Sequence, residues 1–286
     1  MLDLHALLEK SDAVVRVELA DLKGSVPREI GATIYVAKTA IHGTIGGGQL
    51  EYMAIDEARR MVRQGQSEQT VTIPLGPEIG QCCGGVVTLH FSLMDQQARF
   101  SAIARQAQEI AARPDIYIFG AGHVGRALAA TLALLPVRPV LVDSRANELK
   151  LVETEVEQRC TPLPEAQVRA TKAGSGFVIM THDHALDFLL AREALLRGDA
   201  GYVGMIGSKS KRGTFAHWLK KQPLCGTEIS LENLLCPIGA GGSRDKRPAV
   251  IAAMVAAELM TVLDEFCHRD TSAGTGSESE VSRSGP

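Results

Sequence analysis

Asp115-Ile-Tyr-Ile-Phe-Gly-Ala-Gly-His-Val-Gly125 is the stretch on which the fold reading turns. Five strand-forming residues run straight into G-x-G-x-x-G, and an apolar-periodic segment, 124–134, follows at helical spacing. Each glycine has a separate task. Gly120 permits the tight turn, Gly122 lets a backbone approach a pyrophosphate, and Gly125 lets helix and strand pack closely. The helix N-terminus offers N–H groups and a positive dipole end to a phosphate. Asp143 closes the next strand, 18 residues after Gly125, near where a ribose-binding acid belongs.

Working outward from that loop, residues 115–268 alternate strands with helices. Strands are expected at 115–119, 139–142, 156–160, 177–180, 201–206 and 229–236. Helices are expected at 124–134, 184–197, 211–221 and 247–264. Such alternation implies βαβ units and a parallel sheet. The expected strand order is 3-2-1-4-5-6, with ligands outside the carboxyl ends of the strands. Four unusual segments fall there: the glycine loop, Thr181–Asp187, Gly207–Arg212 and Cys236–Gly239. Ser208-Lys-Ser-Lys-Arg212 opens a helix with three cations, Lys209, Lys211 and Arg212. They oppose the macrodipole, and a bound phosphate would relieve that conflict. For Thr181-His-Asp-His184, helix capping by Thr181 or Asp183 outweighs a metal site.

Upstream, residues 1–95 read as a smaller α+β domain. Strands are expected at 13–20, 31–37, 41–45, 69–75 and 85–93, with Lys38-Thr39-Ala40 as a hairpin loop and a helix over 49–63. A helix at 96–112, within a connector spanning 96–114, leads to the second domain. The fold class is therefore α/β, a C-terminal Rossmann-like parallel-sheet domain preceded by a smaller α+β domain. Residues 269–286, rich in Ser, Gly and Glu, read as a disordered tail.

Composition narrows the function classes. The 286 residues carry 30 Lys and Arg against 33 Asp and Glu, a net charge of −3, and 4% are aromatic. Neither a basic face nor a base-stacking platform is expected, so no nucleic-acid partner is. The apolar stretch near 250–263 is too short to span a bilayer. No basic-then-apolar leader opens the chain, so a cytoplasmic protein with reduced thiols is expected. The six cysteines include no Cys-x-x-Cys. Instead Gly80-Gln-Cys-Cys-Gly-Gly85 sets two thiols among glycines, with no apolar neighbours to bury them. Nearby loop N–H groups favour the thiolate, which is a soft ligand, a nucleophile or a sulfur acceptor. The other four cysteines read as structural. Two more glycine-rich stretches, Gly24-Ser-Val-Pro-Arg-Glu-Ile-Gly31 and Gly43-Thr-Ile-Gly-Gly-Gly-Gln-Leu-Glu51, present a cation at Arg28 and a second possible anion cradle.

Taken in order, Gly-Ser-Val-Pro-Arg28, Gly-Gly-Gln-Leu-Glu51, Gly-Gln-Cys-Cys-Gly-Gly85, Gly-Ala-Gly-His-Val-Gly125, Val-Asp-Ser-Arg145, Thr-His-Asp183, Gly-Met-Ile-Gly-Ser-Lys209 and Cys-Pro-Ile-Gly239 resemble the XdhC/CoxI family of xanthine dehydrogenase accessory proteins, its XdhC branch above all. The likeness runs from about residue 13 to 262. It implies a chaperone, not a turnover enzyme. Such a chaperone binds the molybdenum cofactor in its molybdopterin form and assists exchange of an oxo ligand for sulfur with a cysteine desulfurase. It then passes the cofactor to the molybdenum subunit of xanthine dehydrogenase, in purine catabolism. Carried over, Gln81, Cys82 and Cys83 lie nearest the molybdenum, with Cys82 as the metal ligand. The cofactor phosphate suits Gly120, Gly122, Gly125 and Asp143, or Ser208, Lys209, Lys211 and Arg212, in a crevice between the two domains. Self-association is also expected. After Cys-Pro-Ile-Gly239 the chain reads Ala-Gly-Gly-Ser-Arg-Asp-Lys-Arg-Pro248, where many relatives differ, so molybdopterin and its dinucleotide form both stay open. Two rivals stand beside this reading. One is an NAD(P)-dependent oxidoreductase using the Rossmann loop, although no Tyr-x-x-x-Lys follows it. The other is a sulfur carrier with a persulfide on Cys82 or Cys83.

Overall fold

A computed structural model describes residues 3–25, 28–76, 84–222 and 229–274. The chain divides into two compact units, residues 1–111 and 112–286.

Unit 1 holds an antiparallel sheet of β1 (Val15–Lys23), β2 (Thr33–Val36), β3 (Ile41–Gly43), β4 (Glu68–Pro74) and β5 (Val86–Leu93), in the order β3-β2-β1-β5-β4. The β2–β3 hairpin closes with Ala37 N–H donating to Ala40 O at 2.9 Å, so the loop is the two residues Lys38 and Thr39, and Ala40, expected in the loop, pairs across it. On one face, α2 (Gly48–Gln64) buries Leu50, Ala54, Ala58 and Met61. Their helical spacing lays one stripe over Val17, Leu19, Ile34 and Phe91 of the sheet. Two further helices, α1 (Leu4–Lys10) and α3 (Gln96–Ala112), supply a second cluster. The sequence reading missed α1, although Leu4, Leu7 and Leu8 sit at helical spacing and are buried. A single short turn of apolar periodicity gives too weak a signal. Arg99 of α3 ties the chain after α1 in place, donating to the carbonyls of Leu8, Ser11 and Asp12 at 2.6–2.9 Å.

Unit 2 is a parallel sheet of β6 (Asp115–Phe119), β7 (Arg138–Asp143), β8 (Glu157–Cys160), β9 (Gly176–Ile179), β10 (Tyr202–Met205) and β11 (Leu234–Leu235). Its order, β11-β10-β9-β6-β7-β8, is the expected 3-2-1-4-5-6 read from the other edge. All five residues of β6 are buried, as a central parallel strand covered on both faces requires. One face packs α4 (His123–Leu132) and α9 (Pro248–Gly274). The other packs α7 (His184–Arg197) and α8 (Lys209–Lys220). Two short helices, α5 (Ala146–Leu149) and α6 (Pro164–Arg169), lie in the connections. β11 keeps two residues of the expected 229–236, and α9 runs ten residues past the expected end at 264. At the foot of β6, Asp115 is buried at 3% exposure and meets Arg138 through two bonds of 2.6 and 2.7 Å. Among the described residues no helix is long and apolar enough to cross a membrane.

Candidate functional site

The loop between β6 and α4 has the geometry its glycines call for. Gly120 takes φ 117°, and a Cβ there would lie 2.4 Å from Met180 O. A Cβ on Gly125 would lie 1.8 Å from Gly120 O, so the first helical turn closes onto the strand end only without a side chain. Gly122 faces open space and is the N-cap residue of α4. A ligand therefore meets bare backbone there.

Asp143 is not free to read a ribose. Its Oδ2 accepts from Ala121 N–H at 2.7 Å and from Arg145 Nη2 at 2.8 Å. Its Oδ1 accepts from Arg145 N–H at 2.9 Å and Nε at 3.0 Å. Burial pushes this carboxyl up, but the Arg145 guanidinium and the two backbone N–H groups outweigh it and hold it below the usual carboxylate range. The acid at the end of β7 thus braces the glycine loop from behind. Sequence spacing placed the acid; it could not show that Arg145, two residues on, occupies it.

The four segments at the carboxyl ends of the parallel strands touch in series, the glycine loop against Met180 and Thr181, Asp187 against Lys211, and Ser208 against Cys236, and of the four only the first two line a common cavity. A small cavity of about 10 Å³, room for one water, is lined by Gly120, Asp143, Thr181 and His182. Asp183 caps α7, accepting from Ala185 N–H at 2.8 Å, in line with the capping reading. Asp187 is fully buried. Its Oδ1 accepts from Thr181 N–H and Oγ1, and its Oδ2 from Lys211 Nζ at 2.5 Å. Lys211 also donates to Ile206 O at 2.9 Å. Arg212 donates to the carbonyls of Leu231 and Leu234. Ser208 caps α8 through Lys211 N–H, and Cys236 Sγ–H points to Ser208 O at 3.8 Å.

The charge conflict at the start of α8 is therefore resolved within the fold. Lys211 is neutralised by Asp187 and Arg212 by carbonyls, so of the three cations Lys209 alone extends into solvent. A phosphate would have to displace internal partners to reach the other two. Burial raises the Cys236 thiol above its ordinary pKa, against the pull of Lys211 and Arg212. It sits there as a packed thiol, whereas Cys160 is exposed.

Unit 1 contributes a second convergence. The chain leaves β1 at Lys23 and re-enters at β2; it leaves β3 at Gly43; it leaves β4 at Pro74 and re-enters at β5. In the antiparallel register all these points share one end of the sheet. The three connections in which the glycine-rich stretches occur open from that end. Ser25 bridges Gly84, and Gly84 N–H donates to Leu75 O at 2.9 Å. Those contacts pin the flanks of the two-thiol segment. Gln81, Cys82 and Cys83 themselves lie outside the described residues.

The second anion cradle read from the sequence is already filled. Gly46, Gly47 and Gly48 take positive φ in succession (125°, 73° and 63°), and the loop turns its donors on Glu51. Glu51 Oε2 accepts from Thr44 Oγ1 at 2.5 Å, Ile45 N–H at 3.2 Å and Gly47 N–H at 3.3 Å. Arg28 lines a cavity of about 400 Å³ with Tyr35, His42, Arg105 and Glu109. Among the described residues no three His, Cys, Asp or Glu side chains gather at metal-binding spacing.

Two family profiles match the chain. The one described as the XdhC Rossmann domain covers residues 116–259, and the one described as the XdhC and CoxI family covers residues 7–74. A curated relative, the uncharacterized protein YqeB of Escherichia coli strain K12, is 24% identical over 266 residues, which is 90% of this chain and 44% of that protein. This chain thus spans less than half the length of that relative. A crystal structure described as a xanthine dehydrogenase from Bacillus halodurans superposes with a TM-score of 0.78 at 18% identity, over 92% of this chain and 96% of that one. At that identity the superposition shows a shared fold.

Proposed function

Since the chain belongs to the XdhC and CoxI family, we propose that it is an accessory protein in the maturation of xanthine dehydrogenase, acting as a carrier and not a turnover catalyst. Its guest is the molybdenum cofactor in the molybdopterin form. It receives sulfur from a cysteine desulfurase and delivers the cofactor to the molybdenum subunit of the dehydrogenase, in the cytoplasm. The observation that supports this most is the convergence at one end of the unit 1 sheet. The connections in which three glycine-rich stretches occur open there, and the Ser25–Gly84 bridge with the Leu75–Gly84 bond holds the described residues on either side of the segment bearing Gln81, Cys82 and Cys83.

When bound, the cofactor would supply a molybdenum centre at which an oxo group is exchanged for sulfur. The chain's part is to hold and shield it. Cys82, with Cys83 beside it, offers thiolates to the metal–sulfur end. Gly122 leaves its backbone open to a phosphate, and Asp143 fixes that loop by holding Ala121 N–H. The internal bonds of Lys211 and Arg212 leave Lys209 and the α4 N-terminus as the better phosphate partners.

The test is purification from cells that make the cofactor, followed by molybdenum analysis and detection of the fluorescent pterin. Both should co-purify with the parent chain, and Cys82→Ala or Cys83→Ala should lose molybdenum. Equal retention in both variants would rule out thiol ligation. The oxidoreductase reading is the weaker one, because both oxygens of Asp143 already have donors and a ribose diol would have to displace them. Micromolar NAD binding by calorimetry would revive it. A mass increase of one sulfur on Cys82 or Cys83 after treatment with desulfurase and cysteine would identify the chain as a direct sulfur carrier.

A further inference from the structure

Unit 1 carries a second concave surface, at the end of its sheet opposite the glycine loops. The turn from α1 into β1, the β2–β3 hairpin and the last turns of α2 enclose a cavity of about 510 Å³. Its floor is apolar, with Val36 and Ala58 buried. Its rim holds Lys10, Lys38, Arg59 and Arg63 against one carboxylate, Asp12; the four are among the ten Lys and Arg in residues 1–111. Those residues carry thirteen Asp and Glu, so the cluster runs against the charge of its own unit. Among the described residues none of the four is in an ion pair. Arg59 donates from Nε to Ala37 O at 3.4 Å, which holds its guanidinium along the hairpin and leaves the terminal nitrogens for another acceptor. Lys10 and Arg63 stand on last helical turns, where a positive charge is favoured.

A neighbouring cavity of about 330 Å³ shares Thr39 and Arg59 with the first and is lined at its far side by Tyr52, with Asp56 between Tyr52 and Arg59 in sequence, so the spacer of a bound segment must be uncharged there. That tyrosine is 68% exposed, a large aromatic surface left in water beside a groove. Tyr52, Arg59 and Arg63 fall on one face of α2 at helical spacing. From Tyr52 to Arg63 the helix rises about 16 Å. The two cavities therefore read as one trough along α2, aromatic at one end and cationic at the other. An inorganic anion would use the cations and ignore the tyrosine. An extended peptide, at about 3.3 Å per residue, spans the distance from the tyrosine to the cations in three to five residues.

We propose that this trough docks an extended acidic segment of a partner protein, with an apolar residue three to five positions from a run of Asp and Glu. The apolar side chain packs on Tyr52, and the carboxylates take Lys10, Lys38, Arg59 and Arg63. Arg59 sits where the two cavities join and reads the middle of the segment. The surface uses none of the residues assigned to the cofactor, so it stands or falls independently of the cofactor reading.

The experiment uses the full chain and a fluorescein-labelled peptide, Leu-Gly-Ser-Gly-Asp-Glu-Asp-Glu. A second peptide has Gly in place of Leu. Binding is followed by anisotropy at low ionic strength, where exposed charge pairs are least screened. The parent chain should prefer the Leu peptide. Lys38→Glu with Arg63→Glu should weaken both peptides about tenfold or more, while Tyr52→Ala should remove the preference and leave the Gly peptide unchanged. If the double reversal fails to fold by circular dichroism, Lys38→Gln with Arg63→Gln should still weaken both about threefold. Cys82→Ala should bind both peptides as the parent does. Unchanged affinity in the charge variants, a Leu preference that survives Tyr52→Ala, or displacement by inorganic phosphate at the peptide's own concentration would each overturn the proposal.

Discussion

Two glycine-rich turns, each feeding a helix, behave in opposite ways. Between β3 and α2, the loop 43–48 curls its donors around Glu51, so the chain supplies its own anion. Between β6 and α4, the loop 120–125 has its carboxylate behind it: Asp143 takes Ala121 N–H from the rear, and Gly122 faces open space. Glycines before a helix create an anion-binding geometry in both places. Where the nearest acid stands decides whether that geometry holds the loop together or is left for a guest. A third case lies at the start of α8. There the cations look like a phosphate site in sequence, yet Asp187 and backbone carbonyls satisfy two of them.

The largest effect should come from that third case. Lys211→Met leaves Asp187 fully buried with its ion pair broken, a loss of about 3–5 kcal/mol, read from urea unfolding. Lys209→Met, two residues earlier and in solvent, should stay within about 0.5 kcal/mol. Similar losses for both would erase the distinction between engaged and exposed cations at this helix start.

A smaller effect is expected at the self-filled loop. Glu51→Ala strands the N–H groups of Ile45 and Gly47 and should cost about 1–3 kcal/mol. It also vacates the cradle. Sulfate should then raise the melting temperature of Glu51→Ala more than that of the parent. An equal sulfate response in both proteins would show that Glu51 does not occupy an anion site.

The smallest effect concerns the open loop. The Asp143 carboxyl is held below its ordinary range, so its bonds contribute stability at pH values above about 4, the unfolded value. That contribution is lost as pH falls through the lower folded value. Asp143→Asn should cost about 1 kcal/mol at neutral pH and flatten the decline of the urea midpoint below pH ~4. A decline as steep as the parent's would place the acid sensitivity elsewhere.

Much of this molecule was legible in local sequence. The G-x-G-x-x-G turn, its flanking strand and helix, and the alternation after it suffice for the strand order, because right-handed βαβ crossovers leave few ways to lay such a chain down. The capping role of Asp183 was equally readable, since a cap acts within a few residues. Helix α1 was missed because three apolar residues in one short helix give little periodicity. The length of α9 was misjudged because helix formation beyond the packed face depends on propagation, which composition alone describes poorly.

What the order of residues determined by itself was the backbone menu: where glycines permit sharp turns, where strands and helices alternate, and which loops fall at strand ends. Those are short-range effects, governed by sterics and hydrogen bonding between near neighbours. The tertiary structure alone decided which charges remain available. Arg145 on Asp143 is close in sequence, but Lys211 on Asp187, 24 residues apart, and Arg212 on Leu234 O, 22 apart, form only once the sheet has brought its loops to one edge. A buried charge must find a partner there, and that requirement, acting across distances no motif spans, separates structural cations from those still open to a ligand.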